Sequence, residues 1–289
     1  MFHAARFDDL HAVIRRAIRR PGFPSAIRPR VRAVTLVLLT AMLSPLATWA
    51  QEQPTAVRGG LQWGAGLGVG TIREPYQGVD DETIGIPILF LENRWLSIGG
   101  PGVDLKLPLA SPIAFRLRAR YEPRAGYEAD DSPALSGMEE RKPGVWVGAA
   151  ALWHSEIVDV GADWLVDASG YSEGQRATVS LQRRFPFGAF SATPRIEGIW
   201  LDRKNVNYYY GVATQEARAG RPFYDADSTV NTRFGVRFDY RPEARHVLFL
   251  DLSATQLGAE IADSPIVEQS SYSSVFLGYV YMFRTGRPD

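Results

Sequence analysis

The chain has no cysteine among its 289 residues, so no disulfide holds any part of it. Histidine is almost as scarce: of the four, His3 and His11 lie in a segment expected to be removed, and two suggest no transition-metal site. An excess of charge is missing too, since 32 basic residues balance 32 acidic ones. Residues 1–50 hold eight arginines and two aspartates, which leaves 24 basic against 30 acidic side chains beyond them. That balance disfavours nucleic acid as a partner. Long apolar runs are absent except between Val34 and Ala50, so no later segment can cross a membrane as a helix.

The one apolar run has the layout of an export signal. Arg28, Arg30 and Arg32 precede it, the stretch 34–43 is its greasy middle, and Thr48-Trp49-Ala50 brings small residues up to polar Gln51. Cleavage after Ala50 is expected. The first thirty residues are unusual ahead of such a signal, and the basic segment 10–20 fits a short amphipathic helix. The expectation is a true start codon downstream of Met1. Arg19-Arg20 is followed by Pro21 and Gly22 with no adjacent apolar region, which argues against a twin-arginine signal. An exported chain without cysteine suits the periplasm or the outer membrane. The expected division is 1–50 extension plus signal peptide, 51–59 periplasmic lead, 60–283 one β domain, and 284–289 a periplasmic tail.

What the chain does have is alternation. In 271–283, Val275, Leu277, Tyr279, Tyr281 and Phe283 point to one face, while Tyr272, Ser274, Phe276 and Gly278 take the other. An edge this long and apolar invites aggregation, and closing a barrel removes it. The segment 112–122 alternates Ile113, Phe115, Leu117, Ala119 and Tyr121 with Arg116, Arg118, Arg120 and Glu122; 230–241 repeats the pattern. Strands are expected at 60–72, 84–91, 94–99, 102–107, 113–122, 144–154, 156–168, 175–185, 190–202, 230–241, 246–256 and 271–283. This is an all-β, antiparallel transmembrane barrel of about twelve strands. Its short turns, including 186–189, fall on the periplasmic side, and its long loops, 73–83, 123–143, 203–229 and 257–270, fall outside. Merging the two short strands across Gly99-Gly100-Pro101 would give eleven and put the later long loops on the wrong side.

The face opposite the lipid carries the chemistry. Arg116, Arg118 and Arg120, with Arg176, Arg184, Arg195, Arg233, Arg237 and Arg241, are expected to line the lumen opposite Asp159, Asp163 and Asp167. Cross-strand pairing is the default in a poorly hydrated bore, and the same ring could select small anions. The loop 203–229 is the second candidate. Thr214 can cap a helical turn that runs through Ala219 and ends at Gly220. Tyr208, Tyr209, Tyr210, Gly211, Arg221, Tyr224 and Asp225 could form a plug, lid or cradle at the mouth, or pack for stability alone.

Other motifs weigh less. Gly170-Tyr-Ser-Glu-Gly174 matches the nucleophile elbow literally, but it joins two alternating strands instead of a strand and a helix, so it reads as a turn. His154 and Ser155 are adjacent and face opposite ways, unlike a catalytic pair on one strand face. The acidic runs 80–82 and 130–131 lack calcium-loop spacing and read as solvated loop charge, with bridging of lipopolysaccharide through a cation as the alternative. No catalytic residue, metal or cofactor is expected.

Several local sequences together resemble the MipA/OmpV family of outer-membrane proteins: 64–70, rich in glycine; 76–81; Pro87-Ile-Leu-Phe-Leu-Glu-Asn93; Tyr208-Tyr-Tyr-Gly-Val212; 220–225; and Asp263-Ser-Pro-Ile-Val-Glu268. The similarity runs from Gly60 to Phe283. It implies a Gram-negative outer-membrane barrel without a catalytic motif, in contact with lipid and lipopolysaccharide. For the best-known member it implies a scaffold between a lytic transglycosylase and a murein synthase; other members look like adhesins. A narrow solute channel gated by the tyrosine-rich loop and a surface adhesin working through the external loops are the alternative readings.

Overall fold

The computed structural model describes residues 61–109, 112–123 and 125–284; the expected signal peptide, the 51–59 lead and the tail from 285 onward lie outside the described residues. The strands are β1 (Gln62–Ile72), β2 (Glu82–Glu92), β3 (Leu96–Gly99), β4 (Gly102–Leu107), β5 (Ile113–Tyr121), β6 (Val145–Trp153), β7 (Asp159–Asp167), β8 (Gln175–Gln182), β9 (Phe185–Phe187), β10 (Phe190–Leu201), β11 (Thr229–Tyr240), β12 (His246–Gln256) and β13 (Ser271–Arg284). Two helices, α1 (Arg203–Tyr210) and α2 (Ala259–Ala262), interrupt the long loops.

Each strand pairs antiparallel with its neighbours in sequence, and β1 pairs with β13 from Gln62↔Arg284 to Ile72↔Ser274, which closes the ring. The wall is twelve strands thick in circumference, as the alternation predicts, because β8 and β9 are one wall strand with a break. Both pair with β10 in a single register, Gln182↔Arg195 and Phe187↔Phe190. The interruption falls opposite Pro194, which accepts from the Arg183 amide at 3.3 Å but has no N–H to return. The expected turn at 186–189 is therefore shorter: Pro186 and Phe187 belong to β9, and only residues 188 and 189 turn, with Gly188 at φ +61°.

Antiparallel order sends the connections 93–95, 108–112, 154–158, 188–189 and 241–245 to one end, and 73–81, 122–144, 202–228 and 257–270 to the other. Around the outside runs a band of exposed apolar side chains, among them Leu67 (72% exposed), Phe234, Leu277 and Trp164. Near the short-turn end it gives way to aromatics, with Trp63 stacked on Phe283 at 4.1 Å and Phe190 on Tyr240 at 4.2 Å. An apolar belt edged by aromatic rings is the surface of a barrel that sits in a bilayer.

The wall is uneven in one place. β3 and β4 are so short that β2 pairs with β3 only at Phe90, Leu91 and Glu92, and residues 82–89 pair with β1 alone among the described residues. Pro87 lies in that one-sided stretch, where a strand proline is tolerated.

Candidate functional site

The bore has two unlike sides. From β4 to β12 it is charged, because residues of one parity on each strand share the inner face. Asp104 on β4 receives three arginines from β5: Arg118 at 2.9 Å, Arg120 at 3.2 Å and Arg116 at 3.3 Å. Arg118 also reaches across β6 to Asp163 on β7 at 2.7 Å, a crossing left open by Gly148, its register partner on β6. Arg195 spans β11 to hold Asp251 on β12 with two contacts of 2.8 Å, lying over Gly235, where any Cβ would meet its guanidinium at 2.7 Å. Arg233 bonds Glu197 at 3.3 Å and the Thr255 hydroxyl at 3.2 Å. Arg237 pairs with Asp239 at 3.1 Å and lies 3.8 Å from the centre of the Phe249 ring. Arg176 pairs with Glu122 and stacks over Trp146 at 4.7 Å.

Two of the three aspartates expected opposite the arginines do something else. Asp159 meets His154 at 2.9 Å beside the 154–158 turn, and Asp167 accepts from Ser169 and Ser172 in its own hairpin. The acids that hold the network are chiefly Asp104, Glu122, Glu197, Asp239 and Asp251. Four of them lie on strands in step with arginines of the same face, where the alternation also places Asp239, although the acids expected to oppose the arginines are Asp159, Asp163 and Asp167. Arg184 and Arg241 lie close together, and neither makes an ion pair among the described residues.

The other side of the bore is apolar. On β1 the inward positions are Gly64, Gly66, Gly68 and Gly70, and the space they leave is taken by neighbours: a Cβ on Gly68 would meet the Phe276 ring at 2.3 Å. Ile88, Val247, Phe249 and Val280 pack together there, with Phe90, Phe276 and Met282 against them. A cavity of about 1040 Å³ lies between this wall and Arg237, Arg241 and Arg245.

The long loops pack against one another at the opposite end. The helix expected from Thr214 to Ala219 is displaced: α1 occupies 203–210 instead, capped by Asp202, whose carboxylate accepts from the Asn205 amide at 2.9 Å. Residues 214–216 make a single turn, and Arg218 and Arg221 pair across the Gly220 reversal. The tyrosine run has weak helix propensity, and burial decides: Val206 and Tyr209 bury one face of the helix. Tyr209 packs on Trp146 and Leu165 of the β6–β7 wall, Val206 on Leu257 and Ile261, and Tyr210 on Tyr76 at 5.6 Å, so the loop touches the wall on several sides of the mouth. A second cluster joins Tyr76, Tyr127, Leu135, Met138, Val212 and Ile266 from four different loops. Each such buried side chain contributes about 1.5–3 kcal/mol.

Polar contacts pin these loops to one another. Glu216, 2% exposed, receives Arg141 at 2.9 and 3.0 Å and the amides of Glu139 and Ala213 at 2.9 Å each. Burial pushes its pKa up, but those hydrogen bonds and the Arg141 charge outweigh burial and hold it below the ordinary value. Arg221 donates to the carbonyls of Ala134, Ser136 and Glu216. Tyr208 accepts from the Lys142 amide, Tyr209 donates to the Lys142 carbonyl, and Tyr224 donates to the Glu260 carbonyl. Asp225 pairs with Arg203 at the exposed rim, and the Gly211 amide closes α1 on the Asn207 carbonyl. Burial raises the phenol pKa of Tyr76, Tyr127, Tyr209 and Tyr210, which keeps all four neutral.

The pentapeptide 170–174 is a turn, with Gly170 at φ +74° and the Ser172 hydroxyl donated to Asp167 at 2.9 Å. Ser155 shapes its own turn by donating to the Val158 carbonyl at 2.7 Å, while His154 faces Asp159. Asp80, Asp81 and Asp131 rim a cleft of about 480 Å³ at the loop end, and no three carboxylates or imidazoles converge there or elsewhere among the described residues.

Residues 65–283 match the family described as MltA-interacting protein MipA. The putative outer membrane protein YiaT of Escherichia coli O157:H7 is 24% identical over 220 residues, 75% of this chain and 89% of the relative. The MltA-interacting protein of Escherichia coli K12 is also 24% identical, with the same coverage of each. The outer membrane protein OmpV of Vibrio cholerae is 26% identical over 54% of this chain and 61% of its own length. Among solved structures, the COG4313 outer membrane channel of Pseudomonas putida F1 aligns with a TM-score of 0.42 and 16% identity, covering 78% of this chain and 96% of the channel. With a closed twelve-stranded wall, an apolar belt and a family match across nearly all of the barrel, the chain belongs to the MipA family of outer-membrane proteins.

Proposed function

We propose that the protein is a non-enzymatic envelope scaffold or binding protein, working through contact with the murein machinery and not through bulk passage of solutes. The observation that carries this reading is the lid: four loops meet in one apolar cluster over the mouth, and the bore beneath is crossed by ion pairs between strands that are not neighbours. The family description and the MltA-interacting relative support a lytic transglycosylase as partner. Contact would fall on the periplasmic turns, where Ile157 is 75% exposed. The test is capture of a purified lytic transglycosylase by the refolded barrel on a sensor surface. Saturable binding that Ile157→Asp weakens about tenfold, a loss of about 1.4 kcal/mol, is expected; no binding by the folded barrel would overturn the reading.

A narrow channel gated by the lid is the second reading, favoured by the cavity beneath it. It expects planar bilayers to show steady ion-selective conductance that rises when residues 211–221 are deleted. The scaffold reading expects silence from the intact barrel.

A further inference from the structure

The apolar side of the bore is a puzzle for a scaffold and for an ion path alike, since neither requires a greasy inner wall. We infer that this wall is a binding site for a single-chain anionic amphiphile, a long-chain carboxylate, which enters sideways through the barrel wall. Three observations converge on it. The first is the cavity, whose volume of about 1040 Å³ is at the upper end of the range for sites that bury drug-sized ligands. Its lining joins Ile86, Ile88, Phe90, Phe249, Phe276 and Val280 into one apolar surface, deepened by the inward glycines of β1.

The second is charge. Arg241 and Arg245 line the same cavity and are in no ion pair with a carboxylate among the described residues, Arg245 donating instead to the Tyr281 hydroxyl at 3.3 Å, whereas Asp251 is held by Arg195 and Asp239 by Arg237. A carboxylate head at Arg241 and Arg245 gains charge-assisted hydrogen bonds, and the chain behind it leaves water.

The third is the way in. Residues 82–89 of β2 have no strand on their β3 side among the described residues, and the β3–β4 tip at Gly99, Gly100 and Pro101 lines the cavity. Leu89, which points outward and is 49% exposed, lines it together with its inward neighbour Ile88. The lining thus reaches a residue of the lipid-facing side of β2, at the stretch of wall that has no strand on its β3 side among the described residues.

The experiment is photolabelling of the full-length barrel in phospholipid vesicles with a diazirine analogue of palmitate, mapped by mass spectrometry. Alternation makes β13 its own control. Label on Phe276, Val280 and Met282, displaced by excess palmitate, is the expected result; label confined to Val275, Leu277 and Tyr279 reports only the lipid belt and overturns the site. The double variant Arg241→Gln, Arg245→Gln is expected to weaken competition by palmitate about tenfold while leaving competition by hexadecanol unchanged. Equal weakening of both, or of neither, overturns the head-group assignment. Ile86→Trp, which fills the passage, is expected to abolish inner-face label. Heat-dependent gel mobility verifies that each variant is folded, and the wild-type labelling pattern decides the site if a variant does not fold.

Discussion

Glu216 is the residue on which the lid turns. Its carboxylate ties the 122–144 loop to the 202–228 loop through Arg141, and it takes two backbone amides as well. Because its folded pKa is depressed below 4.5, the stabilisation is complete above that value and is lost as pH falls through the folded pKa. Protection of the lid amides, expressed relative to their intrinsic exchange rates at each pH, is expected to be flat from neutrality down to the ordinary glutamate range and to fall only below it. In Glu216→Gln that step disappears and exchange is faster throughout, since removing one partner of a buried pair costs about 3–5 kcal/mol. The bore arginines were legible from alternation alone because side chains of one parity share a face. Their partners were less so: Asp104 sits on a strand of only six residues, too short for the alternation of Asp104 and Lys106 to stand out, and Asp167 looked like a lumen acid but is drawn into its own turn by Ser169 and Ser172.

At the scale of elements, the strands were readable and the lid helix was not. A strand in a bilayer must alternate, so its pattern is dictated by two solvents at once. The helix α1 answers to tertiary contacts, and its segment, Arg-Lys-Asn-Val-Asn-Tyr-Tyr-Tyr, has no strong propensity to advertise it. Its cap is the local signal that remained available: Asp202 directly follows β10. Asp202→Ala is expected to cost about 1 kcal/mol. Limited proteolysis should then cut the 202–228 loop sooner, with barrel mobility on unheated gels unchanged; loss of the folded band would show that the cap supports the wall and not the lid alone. The break between β8 and β9 is likewise an element-level effect of one residue, Pro194, acting from the neighbouring strand.

For the whole molecule, the even strand count and the split between short turns and long loops follow from closure, and both are legible in the sequence. The two-sided bore could not, because an inward apolar stripe and an outward one look the same in sequence until the register is known. Gly66 tests the stripe. A Cβ there would stand 1.8 Å from the Tyr279 carbonyl oxygen, so Gly66→Ala is expected to destabilise the barrel by about 1–3 kcal/mol. The check is the denaturant midpoint for loss of the heat-modifiable band.

The same glycines bear on how the barrel is made. Every wall contact but one joins strands that are consecutive along the chain, apart from the minor interruption in β8 and β9; the exception is the seam of β1 with β13. That seam can form only when the first and last strands of the chain meet. The strand arriving at it presents bare backbone on the inner side, over which Phe276 and Met282 can slide before settling. The joint that closes the ring is thus the one with the fewest side chains to push aside, and the bulk that fills the bore there is carried by the strands on either side of β1.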